Sequence, residues 1–268
     1  MTKKSRILIF FLLISCSNYI AEFDGIKIEE KEFEIEKKIQ KIYNPDYKDE
    51  EILLLLIQKK LKIFLVEKEM NFKINENFLM MEKERIDRET RAPLLLKRIK
   101  DLFKDEKEYI EYFVKGIFAS RAIEEIFFYD TIKYQRERYK IAKEYFNKIK
   151  INKKGDFSND SLYFYVDLHQ KEEVPPPSPS FFYVADSIYL KNMKIFEIYP
   201  KIIEMKHRYF IVRKKDEKIF DGFIINKYDF TKWFNSKIEK IRIKIKDKNL
   251  KKKLKERIKR TLWENCIK

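Results

Sequence analysis

Four glycines in 268 residues leave this chain few positions where the backbone can turn through positive φ or lie directly against a phosphate. That argues against folds built on many tight turns. It also argues against nucleotide chemistry of the glycine-rich kind, because no dinucleotide or P-loop pattern occurs. The length allows one to two domains with a real core. The only cysteines are Cys16 and Cys266.

The amino-terminal stretch RILIFFLLISCSN, residues 6–18, has an apolar run from Ile7 to Ile14, short of the roughly 20 residues that span a bilayer core. Lys3, Lys4 and Arg6 precede the run, and small or polar residues follow it. This is the layout of an export signal over residues 1–15. Leu13-Ile14-Ser15-Cys16 resembles the lipobox of bacterial lipoproteins, which implies cleavage before Cys16 and attachment of lipid to its sulfur. A lipidated Cys16 has no thiol to share, so no intramolecular disulfide is expected.

Loss of Lys3, Lys4 and Arg6 without any acid takes the formal charge from +16 to +13. Most of that charge is concentrated. From Lys237 to Arg260, thirteen Lys or Arg stand against Glu239, Asp247 and Glu256. An exported lipoprotein meets no cytoplasmic nucleic acid, so the expected partners of this segment are anionic lipid headgroups or acidic client segments.

Periodicity predicts mainly helix over the first half. Ile20–Phe23 and Ile26–Ile28 read as short strands around Asp24-Gly25. Helices follow: one with Ile35, Ile39 and Ile42 on a face, and another from Glu50 to about Met70 that is apolar on most sides. Asn75 is placed to cap the next helix and Pro93 to open a short one. Asp105 begins a stretch expected to stay helical to about Lys150. After Asn152 the pattern changes. SLYFYVDLH, SFFYVADSIYL, KIIEMKHRYFIVRKK and KIFDGFII are strand candidates, interrupted by the proline run at 172–180. From Asp229 onward a long basic helix is expected, with a break in phase near Asp247-Lys248-Asn249.

The order of these elements resembles the SurA- and PrsA-like parvulin-associated chaperones of the bacterial envelope. Ala21-Glu22-Phe23-Asp24-Gly25-Ile26-Lys27-Ile28 followed by Glu32-Phe33 is similar to the opening of that family. Leu53–Leu61, Asn71–Asn75, Leu96–Phe103, Tyr109–Phe113 and Ala142–Phe146 follow in similar order. The resemblance implies an α+β protein: a mainly helical SurA-like domain over 16–150, completed by the C-terminal basic helix over 229–268. A small parvulin-like β-rich unit over 151–228 would be inserted between them.

The catalytic pattern of a parvulin is not kept. His207 falls where the family has glycine and Tyr209 where it has histidine, while His169 comes several residues late on the first strand. Tyr163, Tyr165, His207 and Tyr209 are the residues that would form any residual isomerase site. His169 beside Glu172 and Glu173 has no second histidine near it, so no metal or other cofactor is expected.

The resemblance implies an ATP-independent holdase, anchored at Cys16, facing the periplasm and binding unfolded exported or outer-membrane polypeptides. Phe181, Phe182 and Tyr183 are its candidate client contacts. A parvulin-type prolyl isomerase and a surface-exposed adhesion lipoprotein are the alternatives.

Overall fold

A computed structural model describes residues 18–167, 185 and 187–267. The fold is α+β and divides into two compact units. One comprises the residues up to Ile63, Asn75–Gly116 and Lys237 onward. The other comprises Phe64–Ile74 and Ile117–Ser236.

The first unit opens with a hairpin, β1 (Tyr19–Phe23) and β2 (Ile26–Glu29). Its two-residue turn has both central residues at positive φ, Asp24 at 47° and Gly25 at 79°. That is why an Asp-Gly pair sits here. Helix α1 (Glu30–Tyr43) follows, capped reciprocally by Glu29 and Glu32. Helix α2 (Asp49–Phe64) continues into a π-helical turn, Leu65–Glu69. No residue from Asp49 to Glu67 is fully exposed, as an apolar run wider than one stripe requires.

Helix α3 (Glu76–Glu89) is capped by Asn75, whose Oδ1 accepts from the Phe78 amide at 3.0 Å, and α4 (Pro93–Lys100) starts on its proline. Helix α5 (Glu106–Tyr109) passes through a second π-helical turn, Ile110–Val114, into α6 (Lys115–Tyr129). Beneath the surface, Glu36 receives the Lys59 ammonium at 2.7 Å, and Glu32 pairs with Lys60. The Lys59 ammonium also reaches the Tyr112 carbonyl at 2.5 Å.

The long C-terminal helix is not formed. The segment is α9 (Phe230–Ile238), a strand β7 (Ile243–Ile245) and α10 (Lys248–Arg257). The phase break sits at Asp247, which caps α10 by accepting from the Leu250 amide at 2.7 Å. Strand β7 pairs antiparallel with β1, Ala21 opposite Ile245 and Phe23 opposite Ile243, giving a sheet in the order β2-β1-β7. Ile241, Ile243 and Ile245 alternate with Arg242, Lys244 and Lys246, the two-residue period of a half-buried strand.

The expected continuous helix from Asp105 to Lys150 also breaks. The Asp130 carboxylate accepts from the amides of Ile132 and Lys133, at 3.0 and 2.8 Å, and so closes a turn. Helix α7 then runs over Arg136–Ile151.

In the second unit, β3 (Tyr163–Asp167), β4 (Ile203–Glu204), β5 (Arg208–Asp216) and β6 (Ile219–Asn226) form an antiparallel sheet, order β3-β6-β5-β4. One face carries Tyr209, Ile211, Phe223 and Ile225 against Ala142 and Ile149 of α7. For that reason residues 117–150, grouped by sequence with the N-terminal helices, fall in the same unit as the sheet. The other face carries Phe210, Val212 and Phe220 against Leu190 and Met193. Leu190 belongs to α8 (Ser187–Asn192), so the end of SFFYVADSIYL is helix rather than the expected strand.

Gly222 of β6 has φ 151°, and a Cβ there would lie 1.8 Å from the Ile211 carbonyl oxygen. Only glycine permits the two central strands to approach this closely.

Candidate functional site

The second unit holds the residues suspected of chemistry, and β-strand parity decides where each one points. On β5, Tyr209, Ile211 and Arg213 share the face toward α7. On β6, Asp221, Phe223 and Ile225 do the same. Arg213 and Asp221 stand directly opposite, both almost fully buried. The guanidinium donates Nε at 2.8 Å and Nη2 at 2.6 Å to the carboxylate. Its Nη1 donates to the carbonyls of Lys153 and Gly155, at 2.6 and 2.9 Å. Charges taken out of water survive only when paired and hydrogen-bonded, and here both are.

Tyr163 joins this network, its hydroxyl donating to Asp221 Oδ2 at 3.1 Å. Burial, with the Asp221 charge beside it, pushes its phenol up to about 12. Tyr165 lies two residues further along the edge strand and is half exposed, with the Lys215 ammonium 5.7 Å from its ring centre.

Tyr209 is fully buried, packed against Tyr139 at 5.5 Å between ring centres. Its hydroxyl has no hydrogen-bond partner among the described residues. Burial raises its phenol well above the ordinary value.

His207 precedes β5 and is exposed at a different place, its ring edge-on to Phe128 at 4.6 Å. Burial of its inner side and the neighbouring Lys206 and Arg208 charges hold its pKa below the ordinary histidine value. Tyr163 is therefore tied to an ion pair, Tyr209 sits in a core, Tyr165 lies on an edge, and His207 lies in a groove. The four do not converge on one point.

That groove is a concave surface of the unit. It encloses about 420 Å³ between Glu124 and Phe128 on α6, His207, and the run Asn226–Thr231. Its apolar side continues into a ring cluster: Phe230 stacks on Phe234 at 5.7 Å and meets Phe127 edge-on at 5.6 Å. Glu124 and Lys206 form an ion pair of 2.8 Å at the rim.

Beneath the groove lies Lys227, whose side chain is entirely buried. Its ammonium donates to the Phe128 carbonyl and to Glu204 Oε1, each at 2.7 Å. The rings of Tyr129 and Tyr209 lie 4.7 Å from it. Burial pulls its pKa below the ordinary lysine value, and the Glu204 charge opposes that fall.

Sequence reading missed Lys227, Glu204, Arg213 and Asp221. The strand parity that sets Ile211 and Phe223 inward in the structure also sets Arg213 and Asp221 inward, and the expected strands could have shown it. Lys227 gave no such signal, because its partner carbonyl comes from a residue 99 positions earlier. Cys16 and the candidate contacts Phe181, Phe182 and Tyr183 lie outside the described residues, as does His169.

Among the described residues no three His, Cys, Asp or Glu side chains gather as a metal site. Among them no helix is long and apolar enough to cross a membrane. Comparison with protein-family models, with curated proteins and with solved structures returns no match for this chain.

Proposed function

We propose that this protein is a lipid-anchored, ATP-independent holdase that shields unfolded exported or outer-membrane polypeptides, built on a degenerate SurA-like plan. The observation that carries the reading is the open groove bounded by Phe128, His207, Tyr228 and Phe230. Tyr228 is 42 % exposed at its mouth. Such a surface suits an aromatic side chain projecting from an extended client, with the Glu124–Lys206 pair at the rim. A binder of this kind withholds unfolded chains from aggregation by mass action and needs no nucleotide. The dispersal of Tyr163, Tyr165, His207 and Tyr209 supports holding over isomerisation, since a twisting peptide bond with a barrier of about 18–20 kcal/mol needs a compact polar cluster around it.

The test is suppression of aggregation of an unfolded outer-membrane protein, without nucleotide, at near-stoichiometric ratio. An apolar groove should keep its effect at about 0.5 M salt, where exposed charge pairs are heavily screened. The exposed pair His207→Ser with Tyr228→Ser should weaken suppression without lowering the melting temperature. No suppression of several unrelated clients at any salt would remove this reading. The anchor is tested separately: the wild type should incorporate labelled palmitate, and Cys16→Ala should not.

A further inference from the structure

The sheet β2-β1-β7 of the first unit has one buried and one open face. Ala21, Phe23, Ile28, Ile243 and Ile245 fill the buried one. The open face is basic. Lys27, Arg242, Lys244 and Lys246 are exposed there against two acids: Glu22, opposite Lys27 on one side and Lys244 on the other, and Glu29, two residues after Lys27 on β2 and opposite Tyr19. Tyr19 lies between two of these lysines, its ring centre 5.2 Å from the Lys27 ammonium and 3.4 Å from that of Lys246. Lysines ringing a partly exposed tyrosine match the two layers of a membrane interface. Ammonium groups favour lipid phosphates, and tyrosine favours the headgroup boundary.

Chain connectivity places this face beside the proposed anchor. The Glu30 amide donates to the Asn18 carbonyl at 3.0 Å, and the Asn18 amide side chain donates to the Glu30 carboxylate at 2.6 Å, so Asn18 is fixed to the fold. Cys16 is two residues earlier, and two residues span at most about 7 Å. A lipid on Cys16 would therefore enter the bilayer within about one Debye length, near 10 Å, of Asn18. The next residue is Tyr19, and the Lys246 amide donates to the Ile20 carbonyl at 2.9 Å. The pairing of β7 with β1 thus carries basic residues from the far end of the sequence to the point of attachment.

We propose that this open face lies against an anionic phospholipid surface, with Tyr19 at its centre and Lys27, Lys244 and Lys246 on lipid phosphates. The orientation rests on the lipid-anchor reading of Cys16; the chemistry of the face does not. Its role is to supplement the anchor and to fix which side of the protein points away from the membrane.

The test uses the mature-length chain, residues 16–268, with Cys16→Ser, so that no lipid contributes. It should float with vesicles of equal parts phosphatidylglycerol and phosphatidylcholine, and not with phosphatidylcholine alone. Each lysine at such a surface is worth about a fivefold change in partition. Lys27→Gln with Lys244→Gln and Lys246→Gln should therefore lower binding roughly a hundredfold, with the melting temperature unchanged. Neutralising Lys252, Lys253 and Lys255 on α10 in the same way should do much less. Inorganic phosphate at matched ionic strength should not displace the chain.

Equal binding of the sheet variant and the parent would overturn the proposal. So would an equal loss in the α10 variant, equal binding to neutral vesicles, or tight binding to heparin with none to anionic vesicles. If Cys16 takes no palmitate while the sheet variant still loses vesicle binding, the anchor reading fails and the face stands.

Discussion

Arg213 and Asp221 face each other across β5 and β6 and are joined by two hydrogen bonds, of 2.8 and 2.6 Å. Neither has water to fall back on, because both are almost fully buried, with Phe157, Phe196, Tyr163 and the carbonyls of Lys153 and Gly155 around them. Asp221→Ala leaves a buried guanidinium without its counter-charge and should lower stability by about 3–5 kcal/mol in urea unfolding. Arg213→Met together with Asp221→Leu should recover part of that loss, since no buried charge remains. A double variant as unstable as the single one would mean that the two carbonyls, rather than the ion pair, dominate.

Tyr209 provides the opposite case, a buried hydroxyl that makes no hydrogen bond among the described residues. Tyr209→Phe should be neutral or slightly stabilising at pH 7, because removing an unpaired polar group removes its desolvation cost. At alkaline pH the effect has a definite sign. Burial raises the phenols of Tyr209 and Tyr109 above their ordinary value of 10.0. Their contribution is fully present below pH 10 and is lost as pH rises above it, when only the unfolded chain ionises freely. Urea midpoints between pH 9 and pH 11 should fall less steeply in Tyr209→Phe than in the parent. In a protease-free prolyl isomerisation assay neither protein should accelerate the reaction. A rate that drops on this substitution would restore the enzyme reading.

Much of the fold was legible because local chemistry agreed with tertiary need. Asp24-Gly25 announced a turn with two positive φ values, Asn75 a helix cap, and Pro93 a helix start. The inward residues of β5 and β6 followed a period of two. The failures have two causes, one tertiary and one local. In Ile238, Ile241 and Ile245 a helical spacing is present, yet Ile241, Ile243 and Ile245 satisfy a strand equally well. The choice is made by β1, some 220 residues away, whose second edge needs a partner. The break at Asp130 was a local signal overlooked, a carboxylate capping its own following amides. The groove was barely legible, since it joins α6 to residues about a hundred positions later.

His207 gives a pH test of the groove. Its pKa is held below the ordinary 6.5 by burial and by Lys206 and Arg208. A lowered histidine means that the folded chain binds fewer protons than the unfolded one just below pH 6.5. Stability therefore rises with pH through that window and is lost on acidification. His207→Gln should flatten this dependence in melts between pH 5 and pH 7, leaving the remaining slope to carboxylates. An unchanged slope would mean that His207 titrates as it does in the unfolded chain.

Gly222 should tolerate no side chain. At φ 151° and with a Cβ 1.8 Å from the Ile211 carbonyl oxygen, Gly222→Ala strains the backbone and separates two paired strands. The loss should exceed the roughly 1 kcal/mol scale of an ordinary glycine substitution. Gly25→Ala, which meets nothing within 4 Å, carries only the strain of positive φ and should be milder. Thermal melts of the two variants give the comparison, and equal losses would contradict the contact.

Ending the chain after Ser236 should abolish the cooperative unfolding of the first unit. The truncation removes β7, so β1 keeps β2 as its only partner and becomes an open edge beside Ala21 and Phe23. It also removes Ile241, Ile243, Leu254, Ile258, Trp263 and Cys266, all buried. At about 1.5–3 kcal/mol for each large apolar side chain, their combined loss reaches the 5–15 kcal/mol that holds a typical domain together. The readout is hydrogen exchange at the amides of Tyr19–Phe23, which are slow only if the strand stays paired and covered. Fast exchange there is expected in the truncated chain. Protection equal to that of the intact chain would show that the hairpin and helices of the first unit hold without the C-terminal segment, and that its pairing with β1 adds little.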